Sequence, residues 1–136
     1  MSSGPETRKL IEKYYAAFNK GDMRTFLGML DGEVVHDINQ GGTEVGTEAF
    51  ARFMDKMNSH YREQVADLVV MASEDGRRAA AEFKIMGVYL KTDDGLPEAR
   101  SQSYTLPVGA FFEIENNLIK RVTNYYNLQA WLNMVQ

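Results

Sequence analysis

A chain of 136 residues can bury one hydrophobic core, so the length predicts a single domain over residues 1–136, with residues 1–4 flexible. The formal net charge of -4 comes without a basic cluster, which argues against nucleic acid and anionic membranes as partners, and the absence of cysteine excludes disulfides and thiolate metal sites. We expect a cytoplasmic protein, because the sequence has neither the apolar segment of a signal peptide nor a run of about 18 apolar residues that could span a membrane.

The first part of the chain carries the signals of two consecutive helices. Ser3 and Glu6 fit a capping box with Pro5 in the first turn, and Gly21 is a natural stop for the helix that follows. Asp22 can cap a second, shorter helix. In both helices apolar residues recur at the spacing of one buried helix face, namely Leu10, Ile11, Tyr14, Tyr15 and Phe18 in the first and Met23, Phe26, Leu27 and Leu30 in the second.

The rest of the chain reads as a strand, a third helix and then a series of strands. A strand is predicted over residues 33–39, and Thr47 can cap a third helix that buries Phe50, Phe53, Met54, Met57 and Tyr61. Turn-rich segments then separate runs of β-forming residues, so neighbouring strands should pair antiparallel. These runs cover residues 64–72, 77–91, 101–115 and 118–127, and a short helix with Trp131 follows at 128–135. The pattern predicts an α+β domain with helices on one face of a strongly curved sheet.

The predicted strands are apolar on both faces. Between residues 101 and 115 one face carries Leu106, Val108, Ala110, Phe112 and Ile114, and the other carries Pro107, Gly109 and Phe111. Helices can cover only one of these faces. A large apolar surface is rarely left in water, so we expect a homodimer formed through the outer face of the sheet.

Several segments resemble a known superfamily. YYAAFNKGD at 14–22, a short helix and EVVHDIN at 33–39 resemble the start of the nuclear transport factor 2-like (NTF2-like, cystatin-like) cone fold, within it the ketosteroid isomerases and the SnoaL-like polyketide cyclases. HDINQGG at 36–42, GLP at 95–97 and VTNYYNLQ at 122–129 look like proteins described as ketosteroid isomerase-related. The resemblance covers nearly the whole chain. It implies three N-terminal helices packed on a curved, mostly antiparallel sheet around a pocket.

The resemblance also implies catalytic residues. In the isomerases a tyrosine of the first helix donates a hydrogen bond to the forming enolate oxygen, and Tyr14 occupies that position. Their general base is an Asp near the end of the first strand, which Asp37 matches if one residue is removed from the preceding turn. We expect burial to raise the pKa of Asp37. His36 is the alternative, because adjacent strand residues face opposite sides. Gly109 stands where the isomerases have the acid of the oxyanion hole, so steroid isomerase activity is not expected.

The same alternation predicts the pocket wall. Phe83 and Ile85 of the second long strand and Phe111 of the third should form it, with Phe53 or Met57 of the third helix. By the family alignment Asn124 and Tyr126 should also face the interior, where they could hydrogen-bond a carbonyl group.

Two classes of function remain open. The first is an enzyme without a cofactor that acts on a small apolar carbonyl compound, in the manner of an isomerase or a polyketide cyclase. In it Asp37 moves a proton, Tyr14 polarises the oxygen, and Asn124 or Tyr126 assists. The second is a binding module that holds a hydrophobic ligand or a partner protein in the same cone. The two His residues and the scattered carboxylates have no recognisable metal-ligand spacing, so we expect no metal and no other cofactor.

Overall fold

The computed structural model describes residues 3–136 as four helices and six strands. The helices are α1 (Gly4–Lys20), α2 (Met23–Gly28), α3 (Thr47–His60) and α4 (Leu128–Val135). The strands are β1 (Leu30–Asp37), β2 (Thr43–Val45), β3 (Tyr61–Ala72), β4 (Arg78–Tyr89), β5 (Gln102–Glu115) and β6 (Leu118–Tyr126). The α+β class is confirmed, although α3 follows two strands, so only α1 and α2 are N-terminal in the strict sense.

The helix ends follow the local signals of the sequence. The Ser3 side chain accepts a hydrogen bond from the backbone N–H of Glu6, and Gly21 ends α1 with a left-handed φ of 71°. Asp22 accepts from the N–H of Thr25 and so caps α2. Of the four residues expected to be flexible, Ser3 and Gly4 cap and begin α1, while residues 1 and 2 lie outside the described residues. Within residues 3–136 no helix is long and apolar enough to span a membrane.

All the strands belong to one sheet with the order β2-β1-β6-β5-β4-β3. The strands from β3 to β6 pair antiparallel with their neighbours, as predicted. The sequence did not predict β2, which pairs antiparallel with β1, or the parallel pairing of β1 with β6. This parallel pair places β1 between β6 and the edge strand β2, although β1 and β6 lie far apart in the chain.

The two faces of the sheet have different surroundings. The inner face packs against α1, α3 and α4. The hydrophobic core between the helices and this face includes Ile11, Phe26, Phe50, Phe112 and Val122, each at most 2% exposed. The outer face leaves large apolar side chains in solvent, namely Val69, Met71, Met86, Phe111 and Tyr125, each more than half exposed. The predicted apolar outer face is therefore present.

Candidate functional site

The helices and the inner face of the sheet enclose a cavity of about 600 Å³. This volume is in the range of small-molecule sites. Aromatic and aliphatic side chains form most of the wall. A few polar side chains interrupt it, including Tyr14, His36, Glu63, Asn124 and Tyr126, while Glu44, Arg52 and Lys56 are exposed and mark the mouth.

His36 of β1 lies on this wall in an almost fully apolar setting. Its side chain is 2% exposed, and its ring stacks on Phe50 at a centroid distance of 4.1 Å and meets the edge of Phe53 at 4.7 Å. The Nδ1 atom is buried without a hydrogen-bond partner among the described residues. Burial lowers the pKa of His36 to about 4, so the imidazole is neutral at pH 7 and has an N–H to donate.

Asp37 faces away from the cavity, and the expectation that it lies inside is wrong. It pairs with Thr123 of β6, which is aligned with the exposed Phe111 of β5, whereas His36 pairs with the buried Val122. The Asp37 carboxylate accepts hydrogen bonds from Thr123 at 2.7 Å, Arg121 at 2.6 Å and Thr43 at 2.8 Å.

The predicted rise in the Asp37 pKa is wrong as well. Its pKa is lowered, chiefly by the hydrogen bond from Thr123, and the bonds from Thr43 and Arg121 act in the same direction. A carboxylate stabilised in this way is a weak base, and it has no access to a ligand in the cavity.

Tyr14 and most of the predicted wall residues do line the cavity. Tyr14 is 4% exposed and stacks on Phe26 at 4.3 Å, and burial raises its pKa, so it is a neutral O–H donor. The other predicted residues found on the wall are Phe53, Met57, Phe83, Ile85, Asn124 and Tyr126. Their roles in binding or catalysis remain predictions.

Two predicted site residues of β5 lie on the outer face. Phe111 is 52% exposed, and Gly109 has the same strand parity, with its open side facing no atom within 4 Å. The neighbouring residue Val108 has the opposite parity and faces the cavity, as does Leu106. The comparison of Gly109 with an acid of the oxyanion hole therefore does not apply, because Gly109 points away from the site.

Glu63 of β3 is a titratable group on the cavity wall that sequence reasoning missed. Tyr104 donates a hydrogen bond from its Oη to Glu63 Oε2 at 2.5 Å. Burial raises the pKa of Glu63, and the bond from Tyr104 offsets part of this rise. The alternation of Tyr61, Glu63 and Val65 could have identified it, but the strand was predicted to start only at residue 64, so Glu63 was never placed on a face.

Charged and polar contacts form the rim of the cavity. Asp93 accepts a hydrogen bond from the Tyr61 hydroxyl at 3.0 Å and lies 3.6 Å from the Lys56 ammonium group. On the other side, the Asn39 amide donates to the backbone carbonyl of Tyr126 at 3.0 Å. Within residues 3–136 no group of three or more His, Asp or Glu side chains is arranged to hold a metal ion.

The chain is similar to a family model and to several solved structures. A family model described as a SnoaL-like domain matches residues 11–122. A protein named "putative polyketide cyclase" from Pseudomonas putida KT2440 is 55% identical, with 96% of this chain and 98% of that chain covered and a TM-score of 0.94. A protein of the same name from Xanthomonas campestris pv. campestris is 49% identical, with 99% and 100% covered and a TM-score of 0.97.

A third solved structure shares the fold at low sequence identity. An NTF2-like protein of unknown function from Burkholderia pseudomallei K96243 is 17% identical, with 100% of this chain and 99% of that chain covered and a TM-score of 0.75. At this identity the likeness concerns the fold alone. No curated protein matches the chain.

Proposed function

Because this chain belongs to the SnoaL-like domain family and has the NTF2-like fold, we propose that it binds a small, largely apolar carbonyl compound in its cavity and catalyses a proton transfer on it without a cofactor. The reaction would be of the polyketide-cyclase or isomerase type. The named cyclases among its relatives motivate this choice, since they cover almost the full length of the chain at about half identity.

One observation carries the proposal, namely His36 in the aromatic wall of the cavity, whose Nδ1 atom has no hydrogen-bond partner among the described residues. A buried polar atom without a partner is costly, because it has lost its hydrogen bonds to water. A ligand carbonyl oxygen that accepts the N–H of a neutral imidazole would restore one such bond. A neutral imidazole can also polarise a carbonyl group and stabilise the negative charge that develops when a neighbouring proton leaves. Tyr14 offers a second neutral donor, and Asn124 and Tyr126 can orient the ligand.

The proposal can be tested by the thermal shift of the purified protein with apolar ketones, enones, lactones and steroids, each ketone paired with its hydrocarbon, such as β-tetralone with tetralin. We expect ketones to raise the melting temperature in proportion to their binding. In His36→Phe the affinity for the ketone should fall about tenfold, the worth of one hydrogen bond, while the affinity for the hydrocarbon stays unchanged. If none of the compounds raises the melting temperature, the proposal is contradicted.

A second candidate function is a binding module without catalysis. It is favoured by the position of Asp37, because the carboxylate that the resemblance offered as general base lies outside the cavity. A protein of this kind would bind the same ketones. It would leave the hydrogen atoms next to their carbonyl group unexchanged in deuterium oxide, and this difference separates the two functions.

We further propose that a second copy of the chain covers the outer face of the sheet. That face exposes Met71, Phe111 and Tyr125 over three strands, and Phe111 and Tyr125 contact each other at a centroid distance of 5.9 Å. Arg121 on this face is paired within the chain, since it lies 2.6 Å from Asp37 and 2.8 Å from Glu113. A two-fold contact sets the same surface against itself, and the internal pairing of Arg121 reduces its repulsion with the same residue of the second copy.

Light scattering at micromolar concentration should therefore give twice the 15.4 kDa of one chain. Phe111→Asp should give a single-chain mass, because two buried carboxylates would face each other across the contact. Val45→Asp is the matched control, since Val45 is 62% exposed but lies on the edge strand β2. A single-chain mass for the unchanged protein would contradict the dimer.

A further inference from the structure

Three aligned residues of neighbouring strands, Glu63, Gly87 and Tyr104, lie side by side at the cavity wall. Glu63 of β3 pairs with Gly87 of β4, and Gly87 pairs with Tyr104 of β5. All three face inward, so the Tyr104 side chain must cross β4 to reach Glu63. It does so over Gly87, where a Cβ atom would lie 2.4 Å from Tyr104 Cζ and 2.5 Å from its Oη. Any residue other than glycine would therefore displace the tyrosine from the carboxylate.

The Tyr104 ring is itself held firmly. It is 5% exposed and meets the Trp131 ring edge to face at 5.9 Å. Its hydrogen bond occupies Oε2 of Glu63, whereas Oε1 has no hydrogen-bond partner among the described residues, and Glu63 lines the cavity. A carboxylate fixed on one oxygen by a packed side chain and open on the other has the arrangement that a general base needs.

We propose that Glu63 is the general base of the reaction, a carboxylate positioned by Tyr104 across the space left at Gly87. The inference rests on the proposed function and identifies its missing proton acceptor. In the step, Glu63 Oε1 takes a proton from the carbon next to the ligand carbonyl. The electron pair of the broken C–H bond forms the carbon–carbon double bond of an enolate, and the carbonyl π pair moves to the oxygen.

The products of this step can react in ways that fit the family. The Glu63 carboxylic acid can return its proton to the same carbon, which gives exchange, or to another carbon, which gives isomerisation. Alternatively, the enolate carbon can attack a second carbonyl group of the ligand and close a ring, with the proton going to the new alkoxide. The enolate oxygen accepts hydrogen bonds from neutral donors of the cavity wall.

The electrostatics around Glu63 agree with the role of a base. Burial raises the pKa of Glu63 toward neutral pH, which strengthens it as a base, whereas Asp37 is weakened by its hydrogen-bond donors. Burial, together with the negative charge of Glu63, raises the pKa of Tyr126, so this tyrosine remains a neutral O–H donor on the same wall. The cavity thus combines a carboxylate and neutral donors.

The test is the exchange of hydrogen for deuterium next to the carbonyl group of β-tetralone and cyclohexenone, followed by proton NMR in deuterium oxide, with thermal shifts measured for the same ketones. We expect Glu63→Gln to slow the exchange catalysed by the protein at least about 100-fold while the thermal shift is kept. Asp37→Asn is the matched control and should exchange at the rate of the unchanged protein.

Two further variants test the positioning. Tyr104→Phe removes a hydrogen bond to the charged carboxylate, so it should raise the pKa that appears in the pH dependence of the exchange rate. Gly87→Ala should shift this pKa in the same direction because it displaces the Tyr104 ring. A purely structural role of Tyr104 would alter stability and leave this pKa unchanged. The pH profiles also decide the question if Glu63→Gln fails to fold.

The outcomes separate the two proposals. If Glu63→Gln exchanges at the unchanged rate, the role of Glu63 is overturned while the proposed function stands. If the ketones bind to the unchanged protein but do not exchange, the protein is a binding module, and both the proton transfer and the role of Glu63 are overturned. If no ketone binds, the proposed function fails, and the role of Glu63 fails with it.

Discussion

Replacing Trp131 with alanine is expected to lower the free energy of unfolding by about 3–5 kcal/mol, the usual cost of deleting a large buried aromatic side chain. Trp131 is 5% exposed, and its ring contacts Tyr61, Tyr89 and Tyr104 at centroid distances between 5.2 and 5.9 Å. These contacts attach α4 to the sheet. The loss is measured as the change in the urea unfolding curve.

Met134→Ala is the control for this prediction. Met134 lies on the same helix but is 40% exposed, so its replacement should change the free energy of unfolding by no more than about 0.5 kcal/mol. A cost for Trp131→Ala close to that of the control would mean that α4 is not packed on the sheet as described. Trp131→Ala should also loosen Tyr104, and hence the carboxylate that Tyr104 holds.

The second large effect is expected in the pH dependence of stability. Burial lowers the pKa of His36 to about 4 in the folded protein, against an ordinary value of 6.5. As the pH falls through this interval, the unfolded chain takes up a proton on His36 that the folded protein does not. The stabilisation is therefore complete above pH 6.5 and is lost toward pH 4, by about 3 kcal/mol in total.

His36→Phe should remove this part of the pH dependence, because phenylalanine keeps an aromatic ring at the site but cannot titrate. The measurement is urea unfolding at several pH values for both proteins, and the difference between the two curves isolates His36 from the carboxylates that titrate nearby. His60→Gln keeps His36 and should follow the unchanged protein. Parallel pH curves for the unchanged protein and His36→Phe would contradict the burial of a neutral imidazole.

The sequence predicted the parts of the fold that local signals determine. Ser3, Gly21 and Asp22 act within a few residues of their own position, and the helices they bound were recognised from those residues alone. Short turns join β3 to β4 and β5 to β6, and a longer loop joins β4 to β5, so the antiparallel pairing of these strands followed from chain order. The parallel pairing of β1 with β6 has no local signal, because nothing in the sequence of either strand identifies the distant strand with which it pairs.

The same limit explains the errors at the site. Strand alternation implied that only one of His36 and Asp37 enters the cavity, but the choice depends on how β1 is aligned with β6. The family alignment, uncertain by one residue there, favoured the wrong neighbour. Phe111 has the parity of Gly109, which the family alignment put in the pocket, and the structure places both on the outer face. Glu63 was missed because its strand begins three residues earlier than predicted, directly after α3.

The parallel pair of β1 and β6 also has a consequence for how the protein is made. During synthesis β1 emerges early with only the short β2 as a neighbour, and its other partner follows after most of the remaining strands. Contacts between distant parts of a chain form slowly, because a long loop must close first. The edge of β1 that pairs with β6 therefore stays unpaired on the nascent chain until β6 docks. The cavity is therefore completed late in folding, and only chains that have completed it can bind a ligand there.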